Sequence, residues 1–241
     1  MKTGSMANNE FIIKWHSIFY QPSYFIRSGL YRYVRLLAPQ LNGKLLDFGC
    51  GSKPYKALFT NVSSYTGLDI EVSGHSHKNE QIDVYYDGKA IPFEDGSFDN
   101  IFSTEVFEHI FNIEKILPEI NRVLKQGGGL LITCPFVCPE HEVPYDYARY
   151  TSFGIRHLLE QHGFSIKEQI KTGNYFETTA QLKMYFVNFF LPKKPRFLYL
   201  ALYQLFILPI ILATCLFNAI LPKMFKRTDL YHSNIVLAVK K

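Results

Sequence analysis

Leu45-Leu-Asp-Phe-Gly-Cys-Gly-Ser-Lys-Pro-Tyr55 is the stretch that decides the fold of this chain. Its apolar residues predict a buried strand, and Gly49 and Gly51 predict a tight turn directly after it. Glycine suits a turn where backbone approaches a ligand closely, because it has no Cβ to block the approach or a positive φ. A dinucleotide site keeps carboxylates away from this turn, so Asp47 favours a cationic or amine-bearing ligand over a phosphate.

Two further acidic residues end predicted strands downstream. Asp69 closes the second strand, where an α/β nucleotide site places the carboxylate that accepts the ribose hydroxyls. Residues 82–87 predict a third strand ending at Asp87, and residues 100–103 and 127–135 predict a fourth and a fifth. One such acid could be an ordinary helix cap. Three acids at successive strand ends favour a binding site.

Five motifs in this order resemble those of the class I S-adenosylmethionine-dependent methyltransferases, in particular the type 11 branch. They are Asp47-Phe-Gly-Cys-Gly51, Gly67-Leu-Asp69, Asp87 with Ile91-Pro-Phe-x-x-Gly-Ser-Phe-Asp99, Ser103-Thr-Glu-Val-Phe-Glu-His109 and Arg122-Val-Leu-Lys-x-Gly-Gly128. The resemblance implies an α/β fold with a Rossmann-like, seven-stranded methyltransferase sheet and helices on both faces. It also implies S-adenosyl-L-methionine as the cofactor and methyl transfer as the activity.

The resemblance assigns cofactor-binding roles to Asp47, Gly49, Gly51, Asp69, Ile70, Asp87, Gly88, Ser103 and Glu105. The two glycines would let the backbone approach the methionyl part, with Asp47 near its ammonium. Asp69 would hold the ribose, and residues 87–88 would face the adenine edge. Residues 103–105 would line the sulfonium end. Lys53 stands where many members have a third glycine; it is interpreted as a solvated side chain, and contact with the cofactor carboxylate is the alternative.

The loop after the fifth predicted strand is the expected acceptor site, because ligands bind beyond the carboxyl ends of strands in open α/β sheets. His141 is predicted to be the base that takes the proton of an oxygen acceptor, with His109 as the competitor. Glu142 and Asp146 complete the predicted catalytic set, by orienting His141 or binding substrate hydroxyls. The predicted substrate-binding residues are Tyr145, Arg149 and Tyr150. The alternative is a loop whose tyrosines pack while its charges face solvent.

The predicted organisation is an N-terminal helical segment, residues 1–43, followed by a methyltransferase domain, residues 44–241. Residues 1–5 are consistent with a remnant of a tag. The N-terminal segment is expected either to cover the cofactor and shape the acceptor pocket or to pack on the sheet edge. Residues 174–230 form a hydrophobic helical insertion before the last strand, where two strands would normally be joined as a hairpin.

Within the insertion, the apolar run 197–220 reaches the roughly 20 residues that a membrane span needs. A single crossing conflicts with a sheet that contains the strands on both sides, and Pro209 is expected to kink the helix. Seven basic residues and no acid lie between residues 178 and 228. This pattern predicts an interfacial helical hairpin on anionic lipid. A buried helical cap or a homodimer interface is the alternative.

Composition limits the remaining classes of function. The net charge of +5 does not indicate nucleic-acid binding, and no metal site is expected because the four cysteines lack zinc spacing. Cysteine usage and the absence of an apolar N-terminal stretch predict a cytoplasmic protein. The predicted interfacial hairpin would make it peripheral at the inner face of the membrane.

The predicted function is O-methylation of a small-molecule or glycan acceptor, a sugar or lipid-linked glycan, because residues 144–151 resemble a stretch found in enzymes of polysaccharide biosynthesis. The alternatives are a lipophilic, quinone-like or lipid acceptor and a non-catalytic scaffold that keeps the cofactor fold.

Overall fold

A seven-stranded mixed sheet runs through the part of the chain that the computed structural model describes, residues 11–71, 81–221 and 227–241. Its strands are β1 (Gly43–Phe48), β2 (Val62–Ile70), β3 (Val84–Tyr86), β4 (Phe98–Thr104), β5 (Leu124–Pro135), β6 (Phe164–Lys171) and β7 (Ser233–Lys240). Their order is β3-β2-β1-β4-β5-β7-β6, and β7 runs antiparallel to both of its neighbours. The predicted fold class is therefore confirmed. The predicted tag remnant, residues 1–5, lies outside the described residues.

Six α-helices accompany the strands in the described residues. They are α1 (Tyr24–Leu37), α2 (Ile113–Val123), α3 (Ser152–Gln161), α4 (Tyr175–Phe190), α5 (Arg196–Phe206) and α6 (Leu208–Ile220). The ends of α3 follow from its sequence: the Thr151 hydroxyl accepts a hydrogen bond from the Gly154 N–H at 3.0 Å, and Gly163 just beyond the helix has a φ of +85°. A side-chain cap and a left-handed glycine are common start and stop signals of helices.

The sheet is covered by helices on both faces. Leu45 and Leu46 are neighbours in β1 and point to opposite faces, because side chains alternate along a strand. Leu45 packs with Leu30 and Val34 of α1. Leu46 packs in the cluster that includes Ile120 of α2 and residues of α3. Each of these side chains is buried, which contributes about 2 kcal/mol per residue relative to exposure.

Two strand boundaries differ from the predicted ones for local reasons. The third strand, Val84–Tyr86, is shorter than predicted at both ends. At its end the Asp87 carboxylate accepts the N–H groups of Lys89 and Ala90, which forms a turn directly after the strand. The fifth strand begins earlier, so its glycines lie inside it. A Cβ at Gly129 would lie 2.5 Å from the side-chain oxygen of Asn100, which explains why glycine is tolerated in this strand.

The insertion packs on the N-terminal segment through a third apolar cluster. Phe25 of α1 belongs to this cluster together with the buried Met184 of α4 and the buried Tyr203 of α5. The Tyr203 hydroxyl donates to the Gln21 carbonyl at 2.9 Å, and the Gln181 side-chain amide donates to the Pro22 carbonyl at 2.7 Å. Helix α1 is therefore held between the sheet and the insertion.

The apolar run of the insertion forms two helices that meet at Ile207. Proline has no N–H to continue a helical ladder, so Pro209 fits the first turn of α6 and accounts for the break. The 25-residue stretch Arg196–Ile220 is long and apolar enough to cross a bilayer. It is the one candidate membrane span among the described residues. Two polar residues of the run face inward: Thr214 is buried, and the side-chain amide of Asn218 donates to the Glu177 carboxylate at 2.9 Å.

Candidate active site

A cavity of about 650 Å³ lies at the carboxyl ends of β1, β2 and β4. The glycine turn after β1 forms its floor, and the segment after β4 forms one side. Helix α1 and the start of the chain cover it through Phe11, Ile26 and Arg27, and α4 contributes Tyr185. The N-terminal segment thus packs on a face of the sheet and not on its edge, and its residues also line the cavity.

Gly49 makes the turn that the cavity requires. Its φ is +74°, and a Cβ there would lie 2.4 Å from Cγ2 of Val106. Its N–H and that of Cys50 both donate to the Leu68 carbonyl, which fixes the turn against β2. Gly49 and Gly51 both line the cavity, so backbone forms the surface that a ligand would touch.

Asp69 and Ile70 also line the cavity, at the end of β2. The Asp69 carboxylate accepts the N–H of Gly51 and the N–H of Ile70, each at 2.8 Å. These bonds hold the carboxylate beside the glycine turn. Each carboxylate oxygen can accept more than one hydrogen bond, so Asp69 fits a ribose diol.

Asp47, predicted to lie near the cofactor ammonium directly or through water, is not among the residues that line the cavity. Its carboxylate is buried and accepts the Tyr65 hydroxyl at 2.5 Å. Burial raises the pKa of Asp47 to about 7, although the Tyr65 hydrogen bond opposes this shift. The geometry gives Asp47 a role in fixing β1 against β2 below the glycine turn.

The two residues predicted to face the adenine edge do not line the cavity. Asp87 is exposed and caps its own turn, and neither it nor Gly88 is among the residues that line the cavity. Ile70 and Tyr86 line this part of the cavity instead, and Tyr86 stacks obliquely on Phe48 with ring centroids 5.6 Å apart. Apolar and aromatic walls suit the faces of an adenine ring. Tyr86 directly precedes Asp87, so the third sequence motif begins next to a residue that lines the cavity.

The two residues predicted for the sulfonium end differ in position. Ser103 is buried within β4. Glu105 lines the cavity, with a φ of +52°, and its carboxylate accepts the Thr133 hydroxyl at 2.8 Å. Burial raises the pKa of Glu105 to about 7, although the Thr133 hydrogen bond opposes this shift. Glu105 is thus the side chain of this pair that can reach a bound ligand.

Lys53 is not the solvated side chain that was expected. Only 4% of its side chain is exposed, and its Nζ lies 2.5 Å from Oδ2 of Asp83. The Gly67 N–H donates to the same carboxylate oxygen at 2.6 Å. Lys53 packs over Gly67, where an added Cβ would lie 2.2 Å from its Cε. The lysine therefore stabilises the β1–β2 connection.

Of the three predicted catalytic residues, two line the cavity and the third lies beside them. His141 and Glu142 line the cavity, and Glu142 has a φ of +51°. Asp146 lies beside them: it accepts the His141 N–H at 2.9 Å and forms a two-pronged ion pair with Arg149 at 2.5 and 2.6 Å. This pair lowers the pKa of Asp146 to about 2. Burial, with His109 alongside, lowers the pKa of His141.

The three predicted substrate-binding residues are not among the residues that line the cavity. Arg149 is engaged by Asp146 and by carbonyls of its own loop, so it braces the loop. Tyr145 uses its carbonyl to accept from Nδ1 of His109 at 2.7 Å. The Tyr150 carbonyl accepts from Asn234 of β7, and burial raises the pKa of the Tyr150 phenol to about 12. These residues thus hold the loop, but the alternative in which its charges face solvent is matched only in part, because Asp146 and Arg149 pair with each other and their side chains are only 4% and 23% exposed.

Sequence reasoning missed Glu108 and gave His109 only second rank. Both lie in the fourth motif, and the structure brings them against His141. Arg27 was assigned no role from the sequence, although it lines the cavity and its Cζ lies 3.8 Å from the centroid of the Phe11 ring. Tyr185, which donates to the Ser23 hydroxyl at 3.1 Å, had no sequence signal because it depends on how the insertion docks.

The sheet and this cavity define a nucleoside-binding α/β domain of the methyltransferase class. A family model described as a methyltransferase domain matches residues 46–132. The chain therefore carries a class I S-adenosylmethionine-dependent methyltransferase domain, and its cofactor is S-adenosyl-L-methionine. The fit rests on the glycine floor, the Asp69 carboxylate and the Ile70–Tyr86 wall.

Relatives and solved structures agree with this assignment. A phthiotriol/phenolphthiotriol dimycocerosates methyltransferase from Mycobacterium ulcerans is 35% identical over 104 residues, which are 39% of this chain and 38% of that protein. A probable S-adenosylmethionine-dependent methyltransferase from Mycolicibacterium smegmatis is 24% identical over 64% of this chain and 60% of that protein. The chain thus spans less than two thirds of either relative. Phosphoethanolamine N-methyltransferase 2 of Haemonchus contortus, solved with S-adenosyl-L-methionine, shares the fold, with a TM-score of 0.52, 22% identity and coverage of 88% of this chain and 52% of that one.

Proposed function

We propose that this protein transfers the methyl group of S-adenosyl-L-methionine to a hydroxyl oxygen of an amphiphilic acceptor at the cytoplasmic face of a membrane, with the sugar of a lipid-linked glycan as the first candidate. One observation carries the proposal. The cavity is bordered by the polar loop with His141 and Glu142 and by Tyr185 of the apolar insertion. An acceptor with a polar reacting group and an apolar body matches both borders.

The chemistry that the cofactor supplies is an electrophilic methyl group on a sulfonium. The residues of this chain must hold the acceptor oxygen in line with that group and take up its proton. The oxygen lone pair forms the O–CH₃ bond, the electrons of the broken S–CH₃ bond stay on sulfur, and the hydroxyl proton passes to the side chain of His141 or Glu142. Both line the cavity, which supports this role.

The outer surface of the insertion supports work at a membrane. Phe189 at the end of α4 is 81% exposed, and Phe197 at the start of α5 is 74% exposed. Between them lie the exposed cations Lys193, Lys194 and Arg196. Aromatic side chains flanked by cations suit the boundary between anionic headgroups and acyl chains. Two of the seven basic residues counted in the sequence, Lys223 and Lys226, lie outside the described residues.

A second candidate is an acceptor that is lipophilic throughout. The Mycobacterium ulcerans relative is named for phthiotriol dimycocerosates, and the apolar face of the insertion would suit such a molecule equally well. The sugar is placed first because the polar loop offers charged groups to a hydroxyl-rich acceptor, whereas a lipophilic acceptor needs few of them.

Incubation of the purified protein with methyl-labelled cofactor and a bacterial lipid extract tests the proposal. We expect label in the lipid phase that mild acid releases as a water-soluble methylated saccharide. Label that stays with the lipid after acid would favour the second candidate. Asp69→Ala should weaken cofactor binding by about 10- to 100-fold, because one or two hydrogen bonds to a charged group are lost. Cofactor binding without transfer to either fraction would overturn the proposed activity.

A further inference from the structure

Glu108, His109 and His141 form a compact cluster on the acceptor side of the cavity. One ligand atom from each lies within 4.8 Å of the others. Oε1 of Glu108 is 3.7 Å from Nε2 of His109 and 3.9 Å from Nε2 of His141. Both imidazoles line the cavity, and Glu108 lies behind them. No sequence pattern predicted the cluster, and a metal site was not expected.

The carboxylate of Glu108 is buried and makes no hydrogen bond to the described residues. Its side chain is 0% exposed, and neither carboxylate oxygen has a hydrogen-bond partner among the described residues. Buried carboxylates are ordinarily paired or bound to a metal, because an isolated buried charge is strongly unfavourable. Both oxygens of Glu108 are therefore available to a ligand.

The two imidazoles are held so that each presents Nε2 to Glu108. Nδ1 of His109 lies 2.7 Å from the Tyr145 carbonyl, and Nδ1 of His141 lies 3.2 Å from the Pro139 carbonyl. A carbonyl oxygen can only accept, so each Nδ1 carries the proton and each Nε2 keeps a lone pair. Nε2 of His109 is buried and has no hydrogen-bond partner in the described part of the chain. An imidazole oriented through its other nitrogen is the usual second shell of a metal-binding histidine.

The spacing of these atoms fits a small cation. A metal bound at about 2.1 Å separates adjacent ligand atoms by about 3.0 to 3.5 Å. The distances from Glu108 to the two imidazoles exceed this by less than an ångström, which small side-chain rotations can close. Two imidazoles with one carboxylate suit divalent transition metals such as Zn²⁺ and Mn²⁺, whereas Mg²⁺ and Ca²⁺ favour sites built from oxygen alone.

We propose that Glu108, His109 and His141 bind a divalent transition-metal cation at the acceptor side of the cavity. The proposal goes beyond the proposed function, since it concerns a site that does not require the methyl donor. Three protein ligands leave coordination positions for water or for an acceptor oxygen. Glu142 borders the open side: its Oε2 lies 3.9 Å from Nε2 of His109.

The site also refines the acceptor, a step that rests on the proposed function. A cation bound by three side chains favours acceptors with two adjacent oxygens, such as a sugar diol, because both oxygens can occupy the open positions. His141 then acts as a metal ligand and Glu142 is left to take the hydroxyl proton. The bonds formed and broken in methyl transfer stay the same, and only the proton acceptor is narrowed to one residue.

Metal binding to the chelator-stripped full chain tests the site directly. We expect calorimetry to show one Zn²⁺ per chain, and Mn²⁺ to bind with a changed electron paramagnetic resonance spectrum. Glu108→Gln preserves shape and should weaken binding of both ions by at least about 100-fold. Glu140→Gln, an exposed acid in the same loop, serves as the matched control and should bind like the parent. Equal Zn²⁺ affinity of parent and Glu108→Gln, or no binding by the folded parent, would overturn the proposal.

A second variant, His141→Ala, keeps the proposal testable if Glu108→Gln fails to fold. His141 lies in the loop after β5 and is partly exposed, so His141→Ala should leave the fold intact while it lowers Zn²⁺ affinity. His157→Ala on α3 controls for the loss of an exposed histidine. Cofactor affinity, measured on the same samples without metal, should be unchanged in all four variants. Loss of metal binding with intact cofactor binding thus isolates this site from the cofactor site.

Discussion

The Nζ of Lys53 lies 2.5 Å from Oδ2 of Asp83, and this ion pair joins the loop after β1 to the residue before β3, beside Gly67 of β2. Burial raises the pKa of Asp83, but the Gly67 N–H and Lys53 outweigh it, so the pKa of Asp83 is lowered overall. The lysine thus stabilises the segment that carries the glycine turn. It is a structural cation next to the cofactor cavity.

Lys53→Met should therefore lower stability without changing cofactor affinity. We expect the free energy of unfolding in urea to fall by about 1 kcal/mol, a modest value because Asp83 is half exposed and keeps the Gly67 N–H. Lys115→Met, an exposed lysine on α2, should change stability little. A tenfold rise in the dissociation constant of the cofactor would restore the alternative in which Lys53 contacts its carboxylate.

Gly49 provides a sharper test of the cavity floor. Gly49→Ala forces a side chain into a φ of +74° and into contact with Val106, so we expect cofactor affinity to fall at least about tenfold and stability to fall as well. Gly127 is a matched control because its φ is also +74°, while nothing lies within 4 Å of an added Cβ.

Gly127→Ala should cost about 1 kcal/mol of stability through backbone strain alone and leave cofactor binding unchanged. Calorimetric titration with S-adenosyl-L-methionine measures both variants. Equal loss of affinity in the two would show that the effect comes from destabilisation and not from the cavity floor.

The fold was predictable where local pattern and chain order carry the information. The first strand and its glycine turn follow from an apolar run and two glycines, and the ends of α3 follow from Thr151 and Gly163. The placement of Lys53 was not predictable, because its burial depends on Gly67 in another strand lacking a Cβ.

The candidate site was likewise predictable only where the position of a residue in the chain carries the information. Asp69 follows from its place at the end of a strand, and the structure puts it in the cavity. Asp47 has the same signal, but the hydroxyl of Tyr65 occupies its carboxylate behind the wall. The meeting of Glu108 with His141 depends on how the loop after β5 folds back, which no spacing in the sequence reports.

His232 should make stability depend on pH. It is 1% exposed, and burial lowers its pKa to about 4 from a usual value of 6.5. Between these values the unfolded chain binds a proton that the folded chain does not, so stability falls as pH falls from about 6.5 towards 4. At pH 5 the loss amounts to about 2 kcal/mol.

Urea unfolding at pH 7 and pH 5 checks this prediction. His232→Gln should show a smaller drop between the two values than the parent, by about 2 kcal/mol. His157→Gln removes an exposed histidine and should keep the parental drop. An identical drop in the parent and His232→Gln would assign the pH dependence to other groups.

Membrane contact is the last consequence that the structure makes testable. Phe189, Phe190 and Phe197 are 81%, 67% and 74% exposed at the turn between α4 and α5, beside three exposed cations. If these rings enter the lipid boundary, replacing all three by serine removes about 2 kcal/mol of apolar transfer per ring, so partitioning should fall at least about 100-fold. Phe153→Ser is the control, since Phe153 is 79% exposed on α3 outside the insertion.

In flotation assays, the parent and the control should bind anionic vesicles more strongly than zwitterionic ones and less strongly at high salt. Equal flotation of the triple variant and the parent would exclude this turn as the contact, whereas no flotation of the parent with a concentration-dependent dimer would favour a protein interface on the same face.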